Sequence, residues 1–302
     1  MLRNIMTLFV SAIMIFAVTH SAQANLNIVA TTPEIAALVR EVGGERVSVR
    51  SISKPLQDPH YVDAKPSFMV HVNRADALFF IGLELEIGWL PLLIQGARNP
   101  DLMTVELSRG IAVAGKPTGP VSRAGGDIHP QGNPHYWVDP RNGAIMAATI
   151  AETLQSLDAD SAVYYGQRLA AFRETLSAKM DEWLLLLAPY KGTPIVDYHT
   201  AWVYFAAWAG LNIRNQVEAK PGIPPTPSHV QGLMTQIAQE RIPLILQANY
   251  LDPKISDFLA RKTGIHVLRL PATIGGEEGI ASYWDFFDTV VMRIADALQN
   301  RD

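Results

Sequence analysis

Between Ala159 and Leu187 the residues Leu169, Phe172, Leu176, Met180, Trp183 and Leu187 fall at steps of three or four, one apolar stripe carried over several helical turns. The pattern is longer than the usual helix of a globular protein. It reads as a spine, with one half of the fold on its N-terminal side and the other half on its C-terminal side.

Before the spine, strand and helix signals alternate. Residues 27–31 are β-rich. Thr32-Pro33-Glu34 then opens a helix with a capping threonine, a proline in the first turn and an early acid. Ile35, Leu38, Val39 and Val42 follow at helical spacing until Gly43-Gly44. Strands are expected at 47–52, at 77–81 (a near-continuous apolar run, as for burial on both faces) and at 103–107. Helices are expected at 66–74, 86–97 and 142–157. After Pro189, strands at 193–197, 211–217, 243–247 and 266–270 alternate with helices at 201–209, 228–239, 254–262 and 280–299. This predicts two α/β domains with mainly parallel sheets joined by one long rigid helix. The expected limits are 25–158 for the N-terminal domain, 159–188 for the linking helix and 189–302 for the C-terminal domain.

Residues 1–24 are read apart from the fold. Arg3, the apolar run 5–18 and Ala22-Gln23-Ala24 form a secretory signal peptide, with the mature chain starting near Asn25. The apolar run is short for a membrane span. Cysteine is absent, so the exported chain has no disulfide, no cysteine to carry a lipid at the cleavage site and no thiolate metal site. A soluble protein of a bacterial periplasm is expected. The formal charge of −4 implies no basic face for nucleic acid.

Seven of the eight histidines lie beyond residue 24. His71 and His229 lie in helical patterns and His266 in a strand, the ordinary places of surface or satisfied histidines. His60, His135 and His199 differ: each stands in or next to a loop at the expected C-terminal end of a strand or beside a proline turn. In open α/β sheets ligands bind at that edge. Three neutral imidazoles with one oxygen suit a tetrahedral zinc ion. Tyr61, Tyr136 and Trp137 flank these histidines as an expected apolar surround. The segment 110–132, rich in Gly and Pro, reads as a long surface loop in which Asp127 and His129 could catch an incoming metal. Gly110 to Lys116 imitates a phosphate loop, but Pro117 replaces the hydroxyl residue such a loop needs.

Asp58-Pro59-His60, Pro66-Ser67, Ala75-Asp76-Ala77, Gly82-Leu83-Glu84-Leu85-Glu86, Asn133-Pro134-His135-Tyr136-Trp137-Val138-Asp139-Pro140 and Tyr198-His199-Thr200-Ala201-Trp202 occur in this order. With these motifs the chain resembles the zinc- and manganese-type metal-binding proteins that serve ABC transporters (solute-binding protein family 9, zinc-binding branch). The resemblance spans essentially all of the mature chain. It implies a metal site in the interdomain cleft, with ligands at His60, His135 and His199, and capture of Zn(II) for import through a membrane permease and its ATPase. It implies no covalent chemistry, and a monomer is expected.

The chain departs from the family at the fourth ligand. Many members carry an acid in the loop after a late strand, where this chain has Leu270-Pro271-Ala272-Thr273-Ile274-Gly275-Gly276. Glu218, at the end of strand 211–217, is the expected substitute, with Glu277, Glu278, His129 or water as alternatives. Three other readings stay open at this point. One is a periplasmic zinc hydrolase, since three histidines and an open position are also a catalytic geometry. Another is a manganese or iron transport protein of the same fold. The last is an adhesin or a binder of an organic solute, with incidental histidines.

Overall fold

The computed structural model describes residues 25–119, 121 and 125–300, so the expected leader, residues 1–24, lies outside the described residues. β1 (Leu26–Ala30) passes directly into α1 (Pro33–Gly43). Thr32 caps this helix by accepting from Ile35 N at 3.5 Å, and Pro33 fills the first turn, where its missing N–H costs nothing. β2 (Val47–Ser51) lies parallel to β1 along its whole length. α2 (Pro66–Asn73) returns the chain to β3 (Ala77–Phe80) on the other side of β1, and α3 (Leu90–Ala97) leads to β4 (Met103–Glu106). The first sheet has the order β2-β1-β3-β4 with every neighbour parallel.

After α4 (Pro140–Leu157) and α5 (Ala162–Leu187), the second half repeats that plan. β5 (Pro194–Asp197), β6 (Asn212–Gln216), β7 (Leu244–Ala248) and β8 (His266–Leu270) form a parallel sheet of order β6-β5-β7-β8. Its connecting helices are α6 (Val203–Ala209), α7 (Pro227–Glu240) and α8 (Lys254–Thr263), and α9 (Tyr283–Gln299) closes the chain. In each sheet the chain steps outward from the first strand and then crosses back past it. The carboxyl edge there is the switch point at which open α/β sheets take ligands.

The spine is α5, whose 26 residues span about 39 Å at 1.5 Å each. It buries Tyr165, Phe172, Leu176, Trp183 and Leu187 on one stripe, with Leu169 and Met180 half-buried at the edge. It packs on α1 and α4 toward one end and on α9 toward the other. One continuous apolar core therefore runs from Leu26 in the first sheet through the spine to Leu298 in α9. That continuity is what makes the joint stiff: bending it would open packed apolar surface.

The helix expected from Glu86 begins four residues later, at Leu90. Gly82, Leu83 and Glu84 have φ of 81°, 51° and 66°, three successive left-handed residues that turn the chain out of β3. Glu86 is spent on that turn: its buried carboxylate accepts from Thr31 Oγ1 at 2.7 Å, Ile81 N at 2.8 Å and Gly82 N at 3.1 Å.

Candidate metal centre

The three histidines that the sequence singled out meet where loops from the two halves converge. His60 comes from the loop after β2, His135 from the segment between β4 and α4, and His199 from the loop after β5.

Two of these loops use the same local device. In Asp58-Pro59-His60, Asp58 Oδ1 accepts from His60 N at 2.9 Å and from His60 Nδ1 at 2.7 Å. In Asn133-Pro134-His135, Asn133 Oδ1 accepts from His135 N at 2.8 Å and from His135 Nδ1 at 2.9 Å. An Asx side chain folding over the backbone two residues on is a turn these residues favour, and the proline between stiffens it. Here the same oxygen also holds the ring. The Asn133 amide is oriented by its other end, since Nδ2 donates to the Thr200 carbonyl at 2.7 Å across the cleft. His199 is held from further away: Glu218 Oε2 faces its Nδ1 at 2.8 Å and also accepts from Gly222 N at 2.8 Å. The turn carrying His199 is closed by buried Asp197, which accepts from Trp202 N at 2.9 Å. Burial pushes the Asp197 carboxyl well above the usual range.

All three Nδ1 atoms thus face oxygens that can only accept. Each Nδ1 must carry the proton, which leaves a lone pair on each Nε2. The ring centroids lie 5.3 Å (His60–His135), 5.3 Å (His135–His199) and 6.1 Å (His60–His199) apart. One ring nitrogen from each lies within 4.8 Å of the others, the only such group of three among the described residues. Atoms so spaced are at most about 2.8 Å from a common centre, so each moves by under about 1 Å to reach a Zn–N bond of about 2.1 Å. His135 Nε2 is buried with no hydrogen-bond partner. A buried acceptor left unmatched is costly, and a cation satisfies it. Burial, reinforced by neighbouring His60, His199 and His129, holds the His135 ring well below the usual histidine range, so the ring stays neutral. For Asp58, burial pulls the carboxyl up, but the contacts with His60 outweigh it and the acid stays ionised behind that ring.

The flanking residues divide. Tyr136 is fully buried and donates its hydroxyl to the Ile81 carbonyl at 2.6 Å, and Trp137 lies 5.2 Å from the His135 ring. Of the three flanking residues, Trp137 thus packs by a histidine ring as an apolar neighbour. Tyr61 lies 6.1 Å from the His60 ring but is 62% exposed, and its hydroxyl donates to the Asp127 carboxylate.

The fourth-ligand candidates need correcting. Glu218, expected among the ligands, is placed behind His199 and outside the group of three, because its carboxylate is taken by a ring N–H and a backbone N–H. Glu277 faces elsewhere, ion-paired with Arg293 of α9 at 2.6 Å, and Glu278 is exposed. His129 stands at the site: its Nε2 is 3.1 Å from His60 Nε2. Sequence reasoning did not assign roles to Asp58 and Asn133. Their signal was present all the same, an Asx-Pro-His tripeptide occurring twice.

A family profile described as ZnuA, zinc-uptake complex component A, periplasmic, matches residues 28–297. The chain belongs to this family. As a ZnuA-family member it is a metal-binding component of an ABC transporter and not an enzyme, and the hydrolase reading falls away with that. Among curated relatives, the manganese ABC transporter substrate-binding lipoprotein PsaA of Streptococcus pneumoniae is 25% identical over 293 residues, covering 93% of this chain and 91% of PsaA. Among solved structures, a crystal structure of ZnuA superposes with a TM-score of 0.77 at 24% identity, covering 90% of this chain and 99% of that one. FpvC of Pseudomonas aeruginosa, solved in complex with Mn2+, gives 0.77 at 18% identity, covering 92% of this chain and all of FpvC at 100%. These two likenesses confirm the two-domain fold that this ZnuA-family chain adopts.

Proposed function

We propose that the chain captures Zn(II) outside the cytoplasm on His60, His135 and His199 and delivers it to a membrane permease driven by an ATPase. The observation that carries this reading is the convergence of three imidazoles, each with its Nδ1 held by an oxygen behind the ring, one of which, His135, keeps a buried Nε2 that no protein group satisfies. Manganese prefers more oxygen than this donor set offers, and three imidazoles favour zinc. Glu218 and Asp58 serve as the carboxylates behind two ligands and Asn133 as the amide behind the third, which raises ligand basicity and fixes ring orientation. The chain acts as a monomer in the periplasm after removal of the leader.

Isothermal titration of the metal-free mature protein tests this. One zinc per chain is expected, bound far more tightly than manganese, with affinity falling as the pH drops through the histidine range. Manganese binding as tight as zinc would point instead to the specificity named for PsaA. No metal binding at all would overturn the site. Elemental analysis of untagged protein from its native compartment gives the metal actually carried.

A further inference from the structure

α1 leaves the carboxyl edge of β1 and runs back along the sheet, so Glu41 lies about 12 Å along the helix axis from Pro33, well away from the metal centre. There α1 meets two other helices, the spine α5 and the closing helix α9. A cavity of about 270 Å³ opens between them, lined by Glu41, Tyr164, Arg168, Phe172, Thr175 and Trp284 among others. Glu41 belongs to the first half and Trp284 to the second, while the other four stand on the spine that joins them.

The cavity holds one charge of each sign, and the two are not paired. Arg168 Nε donates to the Glu41 backbone carbonyl at 2.7 Å and Nη2 to the Arg40 carbonyl at 3.5 Å, so the guanidinium caps the end of α1. These bonds use two of its five N–H donors and fix its plane. The guanidinium carbon lies 6.0 Å from the Tyr164 ring centroid. The packing behind is tight: a Cβ on Gly44, at φ 53°, would strike Tyr164 Oη and Arg168. Burial raises the half-buried Glu41 carboxyl above its usual range, with the attraction of Arg168 and then the Trp284 N–H pulling the other way. Arg168 attracts this carboxylate, yet no ion pair joins them among the described residues. An acid and a guanidinium held near each other but apart leave a gap that suits a group carrying both charges.

The walls of the cavity are flat and apolar. Phe172 is buried in the spine, and its ring lies 5.2 Å from that of half-buried Trp284, tilted by 38°. We propose that this cavity is a second binding site, for a small zwitterion of the free amino-acid type with an apolar side chain. Its ammonium meets Glu41, its carboxylate accepts from the remaining N–H groups of Arg168, and its side chain lies against Phe172 and Trp284. An amine without the acid faces Arg168 with like charge, and an acid without the amine faces Glu41 in the same way, so the pair of fixed charges selects the zwitterion. The bound molecule touches both halves and the spine, and therefore stabilises the joint between them. The site shares no residue with the three-histidine centre and stands independently of it.

The test is titration calorimetry of the metal-free mature chain with L-phenylalanine, beside phenethylamine, which lacks the carboxylate, and hydrocinnamate, which lacks the ammonium. The expected result is one L-phenylalanine per chain, with each analogue at least about tenfold weaker because it leaves one charged partner unmet. Glu41→Gln and Arg168→Gln are each expected to weaken L-phenylalanine by at least about tenfold for the same reason. No saturable binding of L-phenylalanine to the wild-type chain up to about 10 mM would overturn the site. Equal binding of the three compounds, or wild-type binding by Glu41→Gln, would overturn it as well. Should Arg168→Gln fold poorly, since it also loses the bonds to the α1 carbonyls, Glu41→Gln and the two analogues decide.

Discussion

Glu218 Oε2 stands 2.8 Å from His199 Nδ1, so a carboxylate that resembled a metal ligand in the sequence sits behind a ring and turns its Nε2 into the cleft. Its second contact, from Gly222 N, holds the carboxylate still. Removing it frees the ring and lowers its basicity. Glu218→Ala is expected to weaken zinc binding about 10- to 100-fold, and Glu218→Gln less, since the amide oxygen still accepts. X-ray absorption on the zinc form should count the same number of nitrogen and oxygen donors in both variants as in wild type. Loss of one oxygen donor from the alanine variant would make Glu218 a direct ligand.

Asn133 ties the His135 ring to the other half of the molecule. Its Oδ1 holds the His135 ring, its Nδ2 donates to the Thr200 carbonyl beside His199, and its own carbonyl accepts from Tyr204 at 2.6 Å. Asn133→Asp keeps the acceptor for His135 but sets a carboxylate against the Thr200 carbonyl. It should therefore lose the link between the halves while the ring stays oriented. Asn133→Ala loses both. The expected order of zinc affinity is wild type, then aspartate, then alanine, with the alanine variant about 10- to 100-fold weaker than wild type. Equal losses in the two variants would mean that the link to Thr200 matters more than the ring.

The sequence made the periodic features legible and left the folded-back ones hidden. The spine, the eight strands and the three histidines announce themselves by spacing or by a loop at a strand end. The start of α3 did not, because Glu86 looks like an early helix acid but is drawn back by Thr31, 55 positions away in sequence. The contact between His60 and His129 joins residues 69 apart, and no local pattern encodes such a pairing. The roles of Asp58 and Asn133 could have been read, because an Asx residue two positions before a ligand has the right reach to hold its ring.

Trp183 is where the spine locks to the second half. Its ring lies 5.2 Å from Phe287 and 6.3 Å from Trp208, and its Nε1 donates to Asp288 at 2.7 Å. Trp183→Ala leaves a large cavity in a continuous core and should cost about 3–5 kcal/mol. Trp183→Phe, which loses mainly the hydrogen bond, should cost about 1–2 kcal/mol. Urea unfolding of the metal-free protein measures both. Zinc stoichiometry should stay at one per chain in each variant, since no ligand touches this residue. A cost below about 1 kcal/mol for the alanine variant would show that the core readily collapses around the spine.

Glu34 links the halves through a buried carboxyl. Its Oε1 accepts from Ile274 N at 3.0 Å, while its Oε2 is buried without a partner. Burial is the main cause that raises it from 4.5 to about 7, against the pull of the backbone donors. Between those two values the folded chain holds a proton that the unfolded chain has released, so stability falls as the pH rises across that window. The favourable contribution is complete below about pH 4.5 and gone above about pH 7, a change of about 3 kcal/mol. Glu34→Gln keeps an acceptor for Ile274 N and has no proton to lose. The stability of wild type relative to this variant should therefore decline from pH 5 to pH 8 in metal-free protein, and the curves should run parallel above that. Parallel curves from pH 5 upward would mean that Glu34 is ionised in the folded state across the whole range, so that its partnerless oxygen carries charge and is reached by solvent.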